Sequence, residues 1–370
     1  MQSFQIGENQ AGQRLDKFLH KFMPAAENGF LYKMLRKKNI VLNGKKAEGK
    51  EILAVGDTVS FFFSDETFCH FTGQVMGGTE AQHTEPESDS KRHTKETYAC
   101  QQDRTALYRK AYATLRGITI LYEDKNILAV NKPAGVLTQR DSSGQPSLNE
   151  WVIGYLLHNG RLSEDTLQTF HPSVQNRLDR NTSGIVLCGI SLSGSQMLSE
   201  LIRSRKLNKY YITIVRGRMD EAGELSGFLS KDEQKNQVQI GEVDGRAVKT
   251  AYRPLAAEDG FTCLEVKLIT GRPHQIRAHM ASIGHPVMGD MKYGDAAFNA
   301  DCRKKYGVRC QLLHAARVEF PVLTESFSDL SGKVFTAPLP AVFKEVCRHG
   351  NMEFQRIARL YTGGTDKQNQ

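Results

Sequence analysis

The segment Arg177-Leu178-Asp179-Arg180-Asn181-Thr182-Ser183-Gly184 sets one carboxylate between two guanidinium groups, directly ahead of a strand-like apolar run from Ile185 to Cys188. Opposite charge a few ångströms away favours the ionised form of a carboxyl. Asp179 is therefore suited to act as a nucleophile or anion and poorly suited to donate a proton. An isolated Arg-x-Asp-Arg is most often an exposed ion pair of little consequence. Further segments gather reactive side chains: Lys209-Tyr210-Tyr211-Ile212, then Gly271-Arg272-Pro273-His274-Gln275-Ile276-Arg277-Ala278-His279, with Gly284-His285-Pro286 and Gly289-Asp290 behind it.

Several chemistries are disfavoured by spacing. His274, His279 and His285 fit neither His-Glu-x-x-His nor a zinc finger, and no acidic ligand falls among them, so no metal is expected. An aspartyl-phosphate phosphatase would need a second Asp two residues after Asp179, where Asn181 stands. Neither type of glycine-rich phosphate loop is present, so no nucleotide cofactor is implied.

Ile120-Leu121-Tyr122-Glu123-Asp124 and Ile127-Leu128-Ala129-Val130-Asn131-Lys132-Pro133-Ala134-Gly135 precede these motifs, and Leu313-His314-Ala315 and Phe320-Pro321 follow. In this order, over about residues 117 to 322, they resemble the signatures of the RluA-type pseudouridine synthases, which isomerise uridine to pseudouridine in structured RNA. The resemblance implies cleavage of the N1–C1′ glycosidic bond, rotation of the uracil and rejoining through C5, with no redox change and no cofactor. Asp179 is then the catalytic carboxylate. Attack on C1′, an adduct at C6 and abstraction of the C2′ proton all remain open, and each needs it deprotonated.

By the same resemblance Arg277, near the start of a helix from Gln275 to Ser282, anchors that carboxylate, and its planar fork is expected to hold it bidentately. Tyr211 is the aromatic beneath the target uracil, a stacking contact worth about 1–3 kcal/mol, with its hydroxyl available for proton transfer. The uridine must be flipped out at a cost of roughly a few kcal/mol, and Arg177 is the arginine expected to fill the vacated stack from the same strand face as Asp179. Asn176, where the family usually has His, and Pro273, where it usually has Thr, are departures from the pattern. The expected RNA is large-subunit ribosomal RNA, with transfer RNA as runner-up. The reading from another class is a non-catalytic RNA-binding or ribosome-assembly factor, against which the intact Asp179, Tyr211 and Arg277 count.

The elements that must position these groups follow from the wider pattern. A chain of 370 residues suggests two domains. A net charge of +8 and a pI near 9.0 suit a polyanionic partner. Residues 1–63 hold ten basic and six acidic residues. They place Leu15, Phe18, Leu19 and Phe22 on one helix face, then a helix from Leu31 to Lys38, a strand with an Asn43-Gly44 turn, and a last strand from Thr58 to Phe62. This arrangement resembles the alpha-L RNA-binding module first known from ribosomal protein S-four, and implies that Lys33, Arg36, Lys37, Lys38 and Lys45 meet phosphates.

Residues 64–115 read as a polar linker or insertion, with a short helix possible from Tyr108 to Leu115. Residues 116–350 read as the catalytic domain, an α+β fold with a mixed, mainly antiparallel sheet. Residues 351–370 are taken as a C-terminal extension with a disordered end. Seven scattered cysteines without Cys-x-x-Cys pairs read as reduced thiols, and neither a signal peptide nor a membrane-length apolar run is present. A cytoplasmic monomer with RNA as its partner is the expectation.

Overall fold

The computed structural model describes residues 2–72, 104–167, 169–232, 237–241, 246–258, 260–323 and 325–360. The N-terminal part contains β1 (Gln2–Gln5), α1 (Leu15–Phe22), α2 (Asn28–Arg36), β2 (Ile40–Leu42), β3 (Lys45–Lys46), β4 (Thr58–Phe61) and α3 (Asp65–Thr72). Its antiparallel sheet runs β1-β4-β2-β3. Helix α1 buries Leu15, Phe18, Leu19 and Phe22, as their spacing predicts. At the β2–β3 turn Asn43 and Gly44 both take positive φ, 51° and 72°, the backbone an Asn-Gly hairpin requires.

Helix α2 starts and stops earlier than the expected Leu31 to Lys38. Lys37 caps it, and Lys38 turns left-handed at φ 61°. The Lys38 N–H then donates to Leu35 O (3.1 Å) and the Asn39 N–H to Met34 O (2.9 Å). This is the helix-ending arrangement in which glycine is usual.

The expected linker of 64–115 is helical at both ends, and the helix expected from Tyr108 to Leu115 starts earlier. In α3, Phe68 is buried and Phe71 lies 4.3 Å from Phe30 between ring centroids, so this helix completes the N-terminal core. A helix α4 over 104–114 lies against the following domain, with the Tyr112 and Trp151 rings 5.7 Å apart. Helix α3 is short and partly polar, so its few apolar contacts do not stand out in the sequence. Most of that stretch, 73–103, lies outside the described residues, as do 361–370 at the C-terminus.

The larger unit runs β5 (Thr119–Glu123), β6 (Ile127–Lys132), α5 (Leu148–His158), α6 (Glu164–Leu167), β7 (Ser173–Val174), β8 (Ser183–Gly189), α7 (Leu192–Arg203) and β9 (Asn208–Arg216). It continues with β10 (Gly223–Asp232), β11 (Gln237–Gly241), β12 (Arg246–Ala257), β13 (Phe261–Leu268), α8 (Gln275–Ser282), α9 (Ala296–Tyr306), β14 (Leu313–Glu319), β15 (Val334–Thr336), α10 (Ala341–His349) and α11 (Met352–Leu360). The strands order as β11-β10-β12-β13-β9-β14-β8-β6-β5, with β15 on β14 and β7 on β8. Among the described strands only β8 and β14 pair in parallel, so the sheet is mixed and mainly antiparallel within an α+β fold, as expected.

Both faces of this sheet are covered. Leu128 and Val130 of β6 join α5 and α8 in one core, while Ile127 and Ala129 join α7 in another. A strand buried on both faces reads as a continuous apolar run rather than an alternation. On the second face, α9, α10 and α11 form a third cluster, so the start of the expected C-terminal extension is part of the core through Phe354 and Ile357.

Gly184, at the head of β8, has φ +112°, and a Cβ there would lie 2.3 Å from Ala315 O and 2.5 Å from Ala315 N on β14. Gly184→Ala should therefore cost about 3 kcal/mol or more, read as a lower urea midpoint with unchanged m. An unchanged midpoint would mean that β8 and β14 do not approach this closely.

Candidate active site

Asp179 sits in an irregular segment between β7 and β8, not on a strand, so the shared strand face expected for Arg177 and Asp179 is not present. Asn176 supplies the reason. Its Nδ2 donates to Ile185 O (3.1 Å) and its Oδ1 accepts from the Leu187 N–H (2.7 Å), taking backbone positions on β8 that a pairing strand would occupy.

The backbone on either side of Asp179 is then fixed by groups from the end of β6 and the β6–α5 connection. Thr138 Oγ1 donates to Leu178 O (2.6 Å) and accepts from the Leu178 N–H (3.2 Å). Arg180 O accepts from the Gly135 N–H (2.9 Å) and from Lys132 Nζ (3.0 Å). Lys132 is fully buried and also donates to Pro133 O (3.0 Å) and Val136 O (2.8 Å). Burial pushes its ammonium down to about 7, against the pull of Asp179 and Cys310. Nothing in the sequence singles out Lys132, because a lysine ending a strand run carries no local signal of burial.

The cation beside Asp179 is not one of its sequence neighbours. Arg180 reaches Gly135 O (3.1 Å) and Gln145 Oε1 (2.8 Å), and Arg177 is exposed. Arg277 instead donates from Nη1 to Asp179 Oδ2 at 2.9 Å. The expected bidentate grip falls on a different carboxylate: Nε and Nη2 of Arg277 donate to Asp290 Oδ2 (2.6 Å) and Oδ1 (2.8 Å). Asp290 is fully buried, and its Oδ1 also accepts the N–H groups of Lys292 and Tyr293. Burial alone would lower the Arg277 guanidinium, but the bonds and charge of Asp290, with Asp179 behind them, carry it above its ordinary value. Arg277 is therefore a buried bridge between a fully buried carboxylate and a partly exposed one.

Tyr211 lies on β9 opposite Val266 and Ala315, buried in the core shared with α5 and α8. Burial raises its phenol above the ordinary value, and the Asp179 charge raises it further. Of the three histidines, His279 is a core residue bonded to Thr250 Oγ1 (2.8 Å) and His285 faces Arg216 O (2.8 Å). His274 alone joins the site. Its Nε2 is 3.8 Å from Asp179 Oδ2 and its Nδ1 is 3.0 Å from the Tyr293 hydroxyl, whose ring lies 5.2 Å from the Arg277 guanidinium.

The fold thus brings Asp179, Tyr211 and Arg277 together with Asp290, His274 and Lys132, while exposed Lys33, Arg36, Lys37, Lys38 and Lys45 belong to the N-terminal unit. Residues 126–282 match the RNA pseudouridylate synthase family. A transfer RNA pseudouridine synthase C of Vibrio parahaemolyticus is 31% identical over 219 residues, covering 55% of this chain and 84% of that protein. The chain belongs to the RNA pseudouridylate synthase family.

It is an isomerase that converts uridine to pseudouridine in RNA. A ribosomal large subunit pseudouridine synthase C of Vibrio cholerae is 29% identical to this synthase over 329 residues, 86% of this chain and 89% of that one. The fold is also that of human RNA pseudouridylate synthase domain containing 4, with TM-score 0.51, 21% identity, and coverage of 67% of this chain and 96% of that one.

Proposed function

We propose that this synthase modifies uridines of large-subunit ribosomal RNA in the cytoplasm, with Asp179 as the reacting carboxylate, Arg277 holding it, Tyr211 beneath the uracil and Arg177 filling the vacated stack. The observation that carries the site is the Asp179–Arg277–Asp290 bridge, which fixes one partly exposed carboxylate through a charge anchored in the interior. The extent of similarity supports the ribosomal substrate: the relative named for the ribosomal large subunit aligns with 86% of this chain, the transfer RNA relative with 55%. The six described cysteines are unpaired, which suits a reducing compartment. Among the described residues no helix is long and apolar enough to cross a membrane. Mapping pseudouridines in total RNA with and without the gene tests the substrate. Sites lost from transfer RNA alone would overturn the ribosomal assignment.

In this reading residues 1–72 supply sequence-independent affinity through Lys33, Arg36, Lys37, Lys38 and Lys45. Lys38 adds a specific support. It occupies a left-handed position that costs a side-chain-bearing residue about 1–2 kcal/mol and that glycine fills freely, so its charge is kept at the expense of stability. Lys38→Gly should leave stability unchanged or raised by up to about 1 kcal/mol while weakening RNA binding. Every phosphate that is no longer neutralised should lower the slope of log K against log salt by about 0.9 on duplex and about 0.7 on single strands. An unchanged slope after neutralising all five residues would move the RNA path to the catalytic domain.

A further inference from the structure

Once C1′ has been transferred to C5, that carbon carries both the new glycosidic bond and its original hydrogen. Aromaticity returns when the C5–H bond breaks: its electron pair forms C5=C6, the N1=C6 π pair moves to N1, and N1 takes up a proton. Some group must accept the C5 proton. Tyr211 is badly placed energetically, since burial and the Asp179 charge hold its phenol in the protonated form, and a protonated phenol accepts no second proton at ordinary pH.

We propose that His274 takes the C5 proton on Nε2, with Tyr293 fixing the imidazole by accepting the Nδ1 hydrogen. The inference rests on the reading of Asp179 as the reacting carboxylate. Four observations carry it. Nε2 is 3.8 Å from Asp179 Oδ2, so a base above that carboxylate lies within reach of both. Nδ1 is 3.0 Å from the Tyr293 hydroxyl, and in the tautomer that donates its hydrogen there the lone pair is left on Nε2, on the Asp179 side. His274 is the N-cap of α8 yet its side chain makes no capping bond, and its backbone is left-handed at φ 55°. The side chain is thus not spent on the helix end and is turned to Asp179 and Tyr293 instead.

The charged surroundings complete the case. Burial lowers the imidazole below its ordinary value, Asp179 and Asp290 pull it up, and Arg277 and Lys292 push it down. The net is a ring that is neutral at neutral pH and so able to accept a proton. The imidazolium formed stands beside the Asp179 carboxylate, which stabilises it. The proton then passes from Nε2 to solvent, and N1 gains one, so the isomerisation balances without a co-reactant.

The test uses the full chain on a transcript deuterated at uracil C5, with single-turnover rates measured from pH 5.5 to 9. His274→Asn is the main variant, because asparagine tolerates the left-handed backbone. Its rate should fall by roughly 10²- to 10⁴-fold with RNA affinity little changed. A C5 deuterium isotope effect weak or absent in the parent should become large, and the acid limb of the parent profile, where the imidazole protonates, should disappear. Tyr293→Phe, which keeps the ring beside Arg277, should show a smaller loss and a shifted acid limb. A His274→Asn enzyme with parental rate, or a slow one without the isotope effect, overturns the assignment. If His274→Asn proves unstable, imidazole added to His274→Ala must restore turnover for the proposal to stand. If Asp179→Asn is inactive while His274→Asn is normal, this inference falls alone; if Asp179→Asn turns over, both fall.

Discussion

Asp179→Asn should reduce pseudouridine formation by roughly 10⁴-fold or more while leaving RNA affinity and folding close to those of the parent. The amide keeps the shape of the side chain and removes the charge on which attack at C1′, addition at C6 and proton abstraction at C2′ all depend. Affinity should persist because the proposed phosphate contacts lie on the N-terminal unit. Folding should persist because the segment is held by its backbone: Leu178 through Thr138, and Arg180 through Gly135 and Lys132. Arg277 loses one charged partner but keeps both bonds to Asp290. Single-turnover rates, filter binding and thermal melts on one preparation check all three claims. Appreciable turnover would remove Asp179 from the chemistry.

Much of this was legible because it is local. The face of α1 and the limits of α8 follow from spacing within a few residues, and the collinear motifs implied the α+β fold and pointed to Asp179, Tyr211 and Arg277. What escaped was set by partners distant in the chain. Arg277 and Asp179 are 98 residues apart, and nothing near either of them reveals that the arginine fork is spent on Asp290. The guanidiniums flanking Asp179 in sequence misled for the same reason: in an irregular segment adjacent side chains diverge, and Arg180 turns to Gly135 and Gln145. Lys132 escaped because burial of a lysine depends on three carbonyls arriving from two segments.

Arg277→Lys should impair stability as well as activity. A lysine keeps the charge but offers a compact ammonium in place of a fork that spans two carboxylates. In the parent, three N–H groups of Arg277 are committed, two to Asp290 and one to Asp179. An ammonium drawn to Asp290 abandons Asp179, and activity should fall by roughly 10²-fold or more, the scale of losing one positioned charged donor. One drawn to Asp179 leaves a fully buried carboxylate short of its partner, a loss of about 3–5 kcal/mol in the limit of complete separation. Asp290→Asn separates the two contributions. It touches no substrate, yet it leaves Arg277 without its interior counter-charge, so the same fall in unfolding midpoint should appear with a smaller loss of rate. If Arg277→Lys lost activity at an unchanged midpoint, Asp290 would have to be satisfied by the Lys292 and Tyr293 N–H groups alone, and the guanidinium would serve Asp179 rather than bridge the two carboxylates.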